Sequence, residues 1–158
     1  LADRLTRQFP ASIVLHTDDF YLPPAQRVRS WEKTPCANMD LVRLRDEALR
    51  PAYEGQPVLY RAYSCRAGAY QPVQELAAPP LVILEGSYSL HPALQTEFAV
   101  RVFVTCPPDV QAARLQAREG IRYANFVQRW IPLEEGYFAA HDPAARCDFV
   151  LDTAEIFV

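Results

Sequence analysis

The chain reads as an α/β protein built on a parallel sheet, and three observations predict this. Two short apolar runs, Ser12-Ile13-Val14-Leu15 and Leu81-Val82-Ile83-Leu84, are continuous, in the manner of strands buried on both faces. Helical periodicities alternate with strand-like runs along the chain. Both runs lead into carboxylates, at Asp18-Asp19 and at Glu85-Gly86. That suits the C-terminal edge of a parallel sheet, where such folds place their ligands.

The elements follow in order. Residues 1–8 carry apolar Leu1, Ala2 and Leu5 and fit the last turns of a helix, stopped by Pro10. Residues 11–16 form the first strand. Residues 21–38 make a long, Pro-rich loop around Trp31, and a loop of that length in a domain is more often functional than idle. Asp40 can cap a helix running to about Arg50, with Leu41, Leu44, Ala48 and Leu49 on one face and Pro51 closing it. Residues 58–63 alternate as a strand, and residues 69–73 pair with them through a turn near Gly68. This hairpin is a small β lobe inserted between parallel strands.

After Pro79-Pro80 comes the second buried run, then a strand at 100–104. Pro107-Pro108-Asp109 opens a helix carrying Ala112, Ala113, Leu115 and Ala117. On it Arg114, Arg118 and Arg122 share much of one face. A further helix spans about 123–140, broken or kinked by Pro132, and 148–152 is the last strand. The whole is expected to be one domain of 158 residues with a substantial core.

Half the residues are hydrophobic and the net charge is −3, an ordinary globular balance without the basic surface of a nucleic-acid binder. Arginine supplies nearly all the positive charge, since Lys33 is the only lysine. Cys36, Cys65, Cys106 and Cys147 are widely spaced with no C-x-x-C pair, which predicts isolated reduced thiols of a cytoplasmic protein, not zinc or a disulfide framework. No apolar run reaches the roughly 18–20 residues that span a membrane. The composition is compatible with a homo-oligomer.

Several residues could carry chemistry, each with a plainer alternative. Asp18, at a strand end, suits a general base or a metal ligand, and equally a turn cap before Phe20. Glu85, between an apolar run and Gly86, suits a magnesium ligand or a polar strand end. Arg114, Arg118 and Arg122 suit a mobile lid that neutralises phosphate charge, or a solvated helix face beside Glu119. Tyr60, Tyr63 and Tyr70 could line an acceptor pocket or pack across strands. Asp40 could bind a ribose hydroxyl or simply cap its helix, and Tyr21 and Arg66 complete the acceptor-side candidates. His16 and His91 lack metal-ligand spacing and read as structural. No G-x-x-x-x-G-K-[ST] phosphate loop occurs in the chain.

Taken in order, Asp18-Asp19-Phe20-Tyr21, the stretch from Trp31 through Pro35 to Asn38-Met39-Asp40, Leu84-Glu85-Gly86, and Asp109 with Arg114-Leu115 and Arg118 resemble the uridine kinase and phosphoribulokinase family of P-loop kinases. The resemblance runs from Ile13 to Asp152. It implies a P-loop nucleoside triphosphate hydrolase sheet with a small β lobe and a helical lid, here lacking the N-terminal strand and phosphate loop. It implies ATP and Mg²⁺ as cofactors, Asp18 as catalytic base, Glu85 as the residue placing magnesium, and Arg114, Arg118 and, more weakly, Arg122 as phosphate contacts.

The resemblance implies phosphoryl transfer to a hydroxyl of a small-molecule substrate. Ala37 and Ser64 depart from the uridine kinase pattern. Another nucleoside, pantothenate or a sugar phosphate is therefore a candidate acceptor alongside uridine. The expectation is a chain that begins inside the helix following a phosphate loop and is nearly inactive alone. The rival expectation is a degenerate relative that binds a metabolite or a protein without catalysis.

Overall fold

In chain order the strands are β1 (Ser12–His16), β2 (Val58–Tyr60), β3 (Tyr63–Ser64), β4 (Ala69–Tyr70), β5 (Gln74–Leu76), β6 (Leu81–Glu85), β7 (Val102–Thr105) and β8 (Phe149–Asp152). The computed structural model describes residues 1–94 and 98–155. The chain divides into two compact units, Leu1–Trp31 with Cys36–Thr96, and Glu32–Pro35 with Glu97–Val158. Parallel pairing is present in both. β1 pairs with β6 in the first unit and β7 with β8 in the second, each as a two-stranded parallel pair.

The first unit is built around β1 and β6, whose register sets Ser12 beside Leu81 and His16 beside Glu85. A helix, Ala2–Gln8, leads into β1. Leu15 is fully buried and packs with Phe20, Leu44, Ala48, Val58 and Leu94 in one apolar cluster. The long loop closes on itself: Tyr21 bridges Met39, and the Leu22 amide donates to the Asn38 carbonyl at 2.8 Å. Its ends are thereby fixed where the 41–53 helix begins. The four cysteines are free, and burial pushes the Cys36 thiol up to about 12, which makes it unreactive.

Pro51 does not close its helix as the sequence predicts. The helix runs as Leu41–Arg43, then a π-helical stretch Leu44–Leu49, then Arg50–Tyr53. The Arg50 amide donates to the Arg45 carbonyl, five residues back. That widened turn makes room for a proline ring, which would clash with a carbonyl in a regular α-helix. The same device recurs at Pro132. A π-helical stretch, Phe126–Trp130, ends with the Ile131 amide on the Phe126 carbonyl, and Ile131–His141 continues as α-helix.

The β lobe also differs from the expected single hairpin. β2 pairs antiparallel with β5, and β3 with β4, so the predicted strand is interrupted at Arg61-Ala62. The interruption has a cause: the Arg61 carbonyl accepts from the Arg43 guanidinium at 2.6 Å instead of from a strand partner.

In the second unit β7 and β8 carry a helix on one face, with Phe103 edge-on to Phe138 at 5.4 Å between ring centres. Leu133 and Tyr137 are buried beneath it. Pro108–Glu119 forms the predicted helix, but none of its residues is fully buried. Among the described residues, no helix is long and apolar enough to cross a membrane.

Candidate active site

The parallel register of β1 and β6 brings their two C-terminal ends side by side, and the polar residues gather there. His16 Nδ1 pairs with Glu85 Oε1, both side chains about half exposed. β1 then tightens into a single 3₁₀ turn, Thr17–Asp19, closed by the Phe20 amide on the Thr17 carbonyl at 2.9 Å. β6 turns away at Gly86, whose φ of 131° only glycine adopts readily. A side chain there would also overlap Thr17. The Thr17 hydroxyl, fully buried, has no hydrogen-bond partner among the described residues.

The two aspartates of the turn are held differently. Asp19 is pinned: its Oδ2 accepts from the Tyr60 hydroxyl, which itself accepts from the His16 amide at 3.3 Å. Burial and that bond push the Tyr60 hydroxyl pKa well above its ordinary value, so it stays a donor. Asp18 keeps a face open to solvent and accepts one bond, from the Tyr21 hydroxyl at 3.0 Å. Protein packed around the Asp18 carboxyl raises its pKa, the Tyr21 bond opposes this, and the nearby Glu85 and Asp19 charges add to the rise. A strand-end carboxyl with one oriented oxygen and a raised pKa has the properties of a general base.

The other predicted acceptor residues are in the same unit with distinct duties. Asp40 is the helix cap: its Oδ1 accepts from the Arg43 amide at 3.1 Å and its Oδ2 faces Arg43 Nε at 3.4 Å. Tyr63 is buried, edge-on to Tyr70 at 5.3 Å, with its hydroxyl unpaired among the described residues. Arg66 stands exposed in the turn between β3 and β4.

The three arginines belong to the second unit, where two arrangements separate them. Arg114 is bonded to Thr153 Oγ1 at 3.1 Å, to the Thr153 carbonyl at 2.7 Å and to the Ala154 carbonyl at 3.2 Å. Arg118 and Arg122 are mostly exposed and share the carboxylate of Glu119, at 2.9 and 3.1 Å.

Sequence reasoning missed what three residues do here. His16 is legible once the two carboxylate-bearing strand ends are aligned, because that register sets it beside Glu85. Tyr60, read as either a pocket residue or a packing residue, packs edge-on to Phe20 and clamps Asp19 with its hydroxyl. Arg43 carries the faintest signal, an acid–base–acid ladder with Asp40 and Glu47 on one helix face.

Among the described residues, no group of three or more His, Cys, Asp and Glu side chains could hold a metal ion. Mg²⁺ commonly takes only one or two carboxylates and completes its shell with phosphate oxygens and water. Asp18 and Glu85, near enough for the Glu85 charge to raise the Asp18 pKa, are compatible with that demand, and the Thr17 hydroxyl packed on Gly86 is an orphaned polar atom beside them among the described residues.

The described residues thus form an α/β architecture with carboxylates at the end of a parallel strand pair. No family model matches the chain, and no curated protein matches it. Its structure is similar to that of a "Possible Uridine Kinase" from Bacillus stearothermophilus, with a TM-score of 0.67 and 18% identity, over 96% of this chain and 79% of that one. At that identity the likeness establishes the fold: the chain has a uridine kinase-like α/β fold.

Proposed function

We propose that the protein transfers a phosphoryl group from ATP to a hydroxyl of a small molecule, a nucleoside or related metabolite, with Asp18 as general base. The supporting observation is the Asp18 carboxyl itself: held by Tyr21 at a strand end, crowded so that its pKa is raised, and adjacent to Glu85. Asp18 accepts the hydroxyl proton as the acceptor oxygen bonds to phosphorus, and the bond from that phosphorus to the departing ADP oxygen breaks. Asp18 and Glu85 would hold Mg²⁺, which when bound offsets charge on the phosphates.

Tyr21 and Arg66 are the acceptor contacts in this reading, with Asp40 and Tyr63 supporting them from within the fold. Arg118 and Arg122 are the arginines open to phosphate; Arg114 is already engaged by Thr153 and Ala154. The chain's 158 residues contain no G-x-x-x-x-G-K-[ST] segment, so no step is assigned here to a phosphate loop. The second reading is a metabolite-binding relative without catalysis.

The test is phosphoryl transfer from ATP·Mg²⁺ by the full-length protein, against a panel of nucleosides, pantothenate and sugar phosphates, with Asp18→Asn alongside. Turnover that Asp18→Asn abolishes supports the enzyme. Acceptor binding without ATP binding supports the second reading.

A further inference from the structure

Arg43 is a costly side chain to bury. Its guanidinium is only 6% exposed; Asp40 Oδ2 at 3.4 Å and Glu47 Oε2 at 3.8 Å offset part of its charge, but its Nε makes no hydrogen bond among the described residues. An apolar residue could pack there without the desolvation penalty. What an apolar residue could not do is bridge two distant backbone segments. Arg43 Nη2 donates to the Asp19 carbonyl at 3.1 Å, and Nη1 donates to the Arg61 carbonyl at 2.6 Å. The guanidinium carbon lies 4.4 Å from the centre of the Phe20 ring and 5.1 Å from that of Tyr70. One side chain thus touches the residue after Asp18, the ring that follows it, and the β lobe at Arg61 and Tyr70.

We propose that Arg43 is a positioning residue that locks the base-bearing turn to the β lobe, and so fixes Asp18 relative to the surface that receives the acceptor. The need for such a lock is local. The Thr17–Asp19 turn is closed by a single backbone hydrogen bond, so its orientation depends on what holds Asp19. Tyr60 holds the Asp19 carboxylate and Arg43 holds its carbonyl, which leaves Asp18 as the one carboxylate of the turn turned to solvent. The planar fork of arginine reaches both carbonyls at once; the single ammonium of lysine does not. The inference deepens the proposed catalytic role of Asp18 and rests on it only for its consequence in turnover.

The experiment is amide hydrogen exchange on the full-length protein, comparing wild type, Arg43→Lys and Arg43→Ala. Protection is expected to fall about 10-fold or more in residues 17–21 and 61–70 together, while the β1–β6 amides change less than about 2-fold. Guanidinium ion at sub-denaturing concentration is expected to restore Arg43→Ala toward wild type. Uniform loss of protection across the first unit would reduce Arg43 to a packing residue, and unchanged protection at 17–21 would overturn the proposal. Should Arg43→Ala fail to fold, Arg43→Lys carries the same comparison.

In the transfer assay, Arg43→Lys is expected to lower kcat by about 100-fold with the KM for ATP unchanged. An unchanged kcat alongside a lost exchange signature would confine Arg43 to structure. Full turnover in Asp18→Asn would instead sink the catalytic reading of the turn and leave the exchange result standing.

Discussion

The two parallel pairs of this protein are built alike and finished differently. β1 and β6 end in His16, Glu85 and the Asp18-Asp19 turn, with a carboxyl crowded above its ordinary pKa and a buried hydroxyl left without a partner. β7 and β8 end in Thr105 and Asp152, and there the buried hydroxyl of Thr153 is paired. The Thr153 hydroxyl donates to the Thr105 carbonyl at 3.0 Å and accepts from Arg114, and Asp152 accepts from the Ala154 amide at 2.8 Å. Folds spend unsatisfied groups where function needs them and close the rest. The contrast is what the proposed catalytic role of the first pair, and not the second, would require.

The largest expected effect tests that assignment directly. Asp18→Asn should lower turnover by between about 10²- and 10⁴-fold, the usual worth of a positioned general base. It should not destabilise the protein at neutral pH. A carboxyl whose folded pKa lies above its ordinary value of 3.8 contributes stability that is full below that value and is lost as pH rises through the raised one. Melting temperatures of wild type and Asp18→Asn should therefore converge in acid, with the variant equal or higher at pH 7. A variant that melts lower at pH 7 would mean that Asp18 is a structural anchor, like Asp152.

Glycine provides the next contrast. Gly86 combines a positive φ with direct overlap against buried Thr17, whereas Gly120 in the second unit has a φ of 54° and open space around it. Gly86→Ala should cost about 4 kcal/mol, from backbone strain together with overpacking, and Gly120→Ala about 1–2 kcal/mol from strain alone. Denaturant unfolding of the two variants measures the difference, and equal losses would show that Thr17 yields to a side chain at position 86.

The arginines sharpen the same comparison within the second unit. Arg114→Met removes three hydrogen bonds from the end of β8 and should destabilise by about 2–3 kcal/mol. Arg118→Ala and Arg122→Ala remove exposed pairs with Glu119 and should stay within about 0.5 kcal/mol of wild type. Stability losses of similar size at all three positions would contradict the division between a strut and two open guanidinia.

Which of these features the sequence announced follows from the range of the interaction. Apolar runs and strand-end carboxylates are local signals, so β1, β6 and the positions of Asp18 and Glu85 were readable, as were the Asp40 cap and the helix from Pro108. The helix beyond Pro51 was not, because proline is a stop signal only while the turn before it is α-helical, and nothing in Leu44–Leu49 announces a π turn. The division of the β lobe was hidden for a different reason. It depends on the Arg61 carbonyl being claimed by Arg43, 18 residues away, and such long-range claims leave no periodicity. The split between Arg114 and its two neighbours was likewise invisible. The three share a spacing, and only the fold of β8 supplies carbonyls to one of them.

The smallest expected effect concerns the orphaned hydroxyl. Thr17 is fully buried against Gly86, and its hydroxyl has no partner among the described residues. Burying a hydroxyl unpaired is unfavourable, so an isosteric methyl should cost nothing and can stabilise by up to about 1 kcal/mol. Thr153 supplies the control in the other pair, since its hydroxyl makes two hydrogen bonds and Thr153→Val should destabilise by about 1–2 kcal/mol. If Thr17→Val stabilises the protein but weakens its affinity for an ATP·Mg²⁺ or acceptor ligand, the hydroxyl is kept for binding at the expense of folding. If Thr17→Val destabilises as Thr153→Val does, Thr17 is satisfied in solution, and the two strand ends differ in their carboxylates alone.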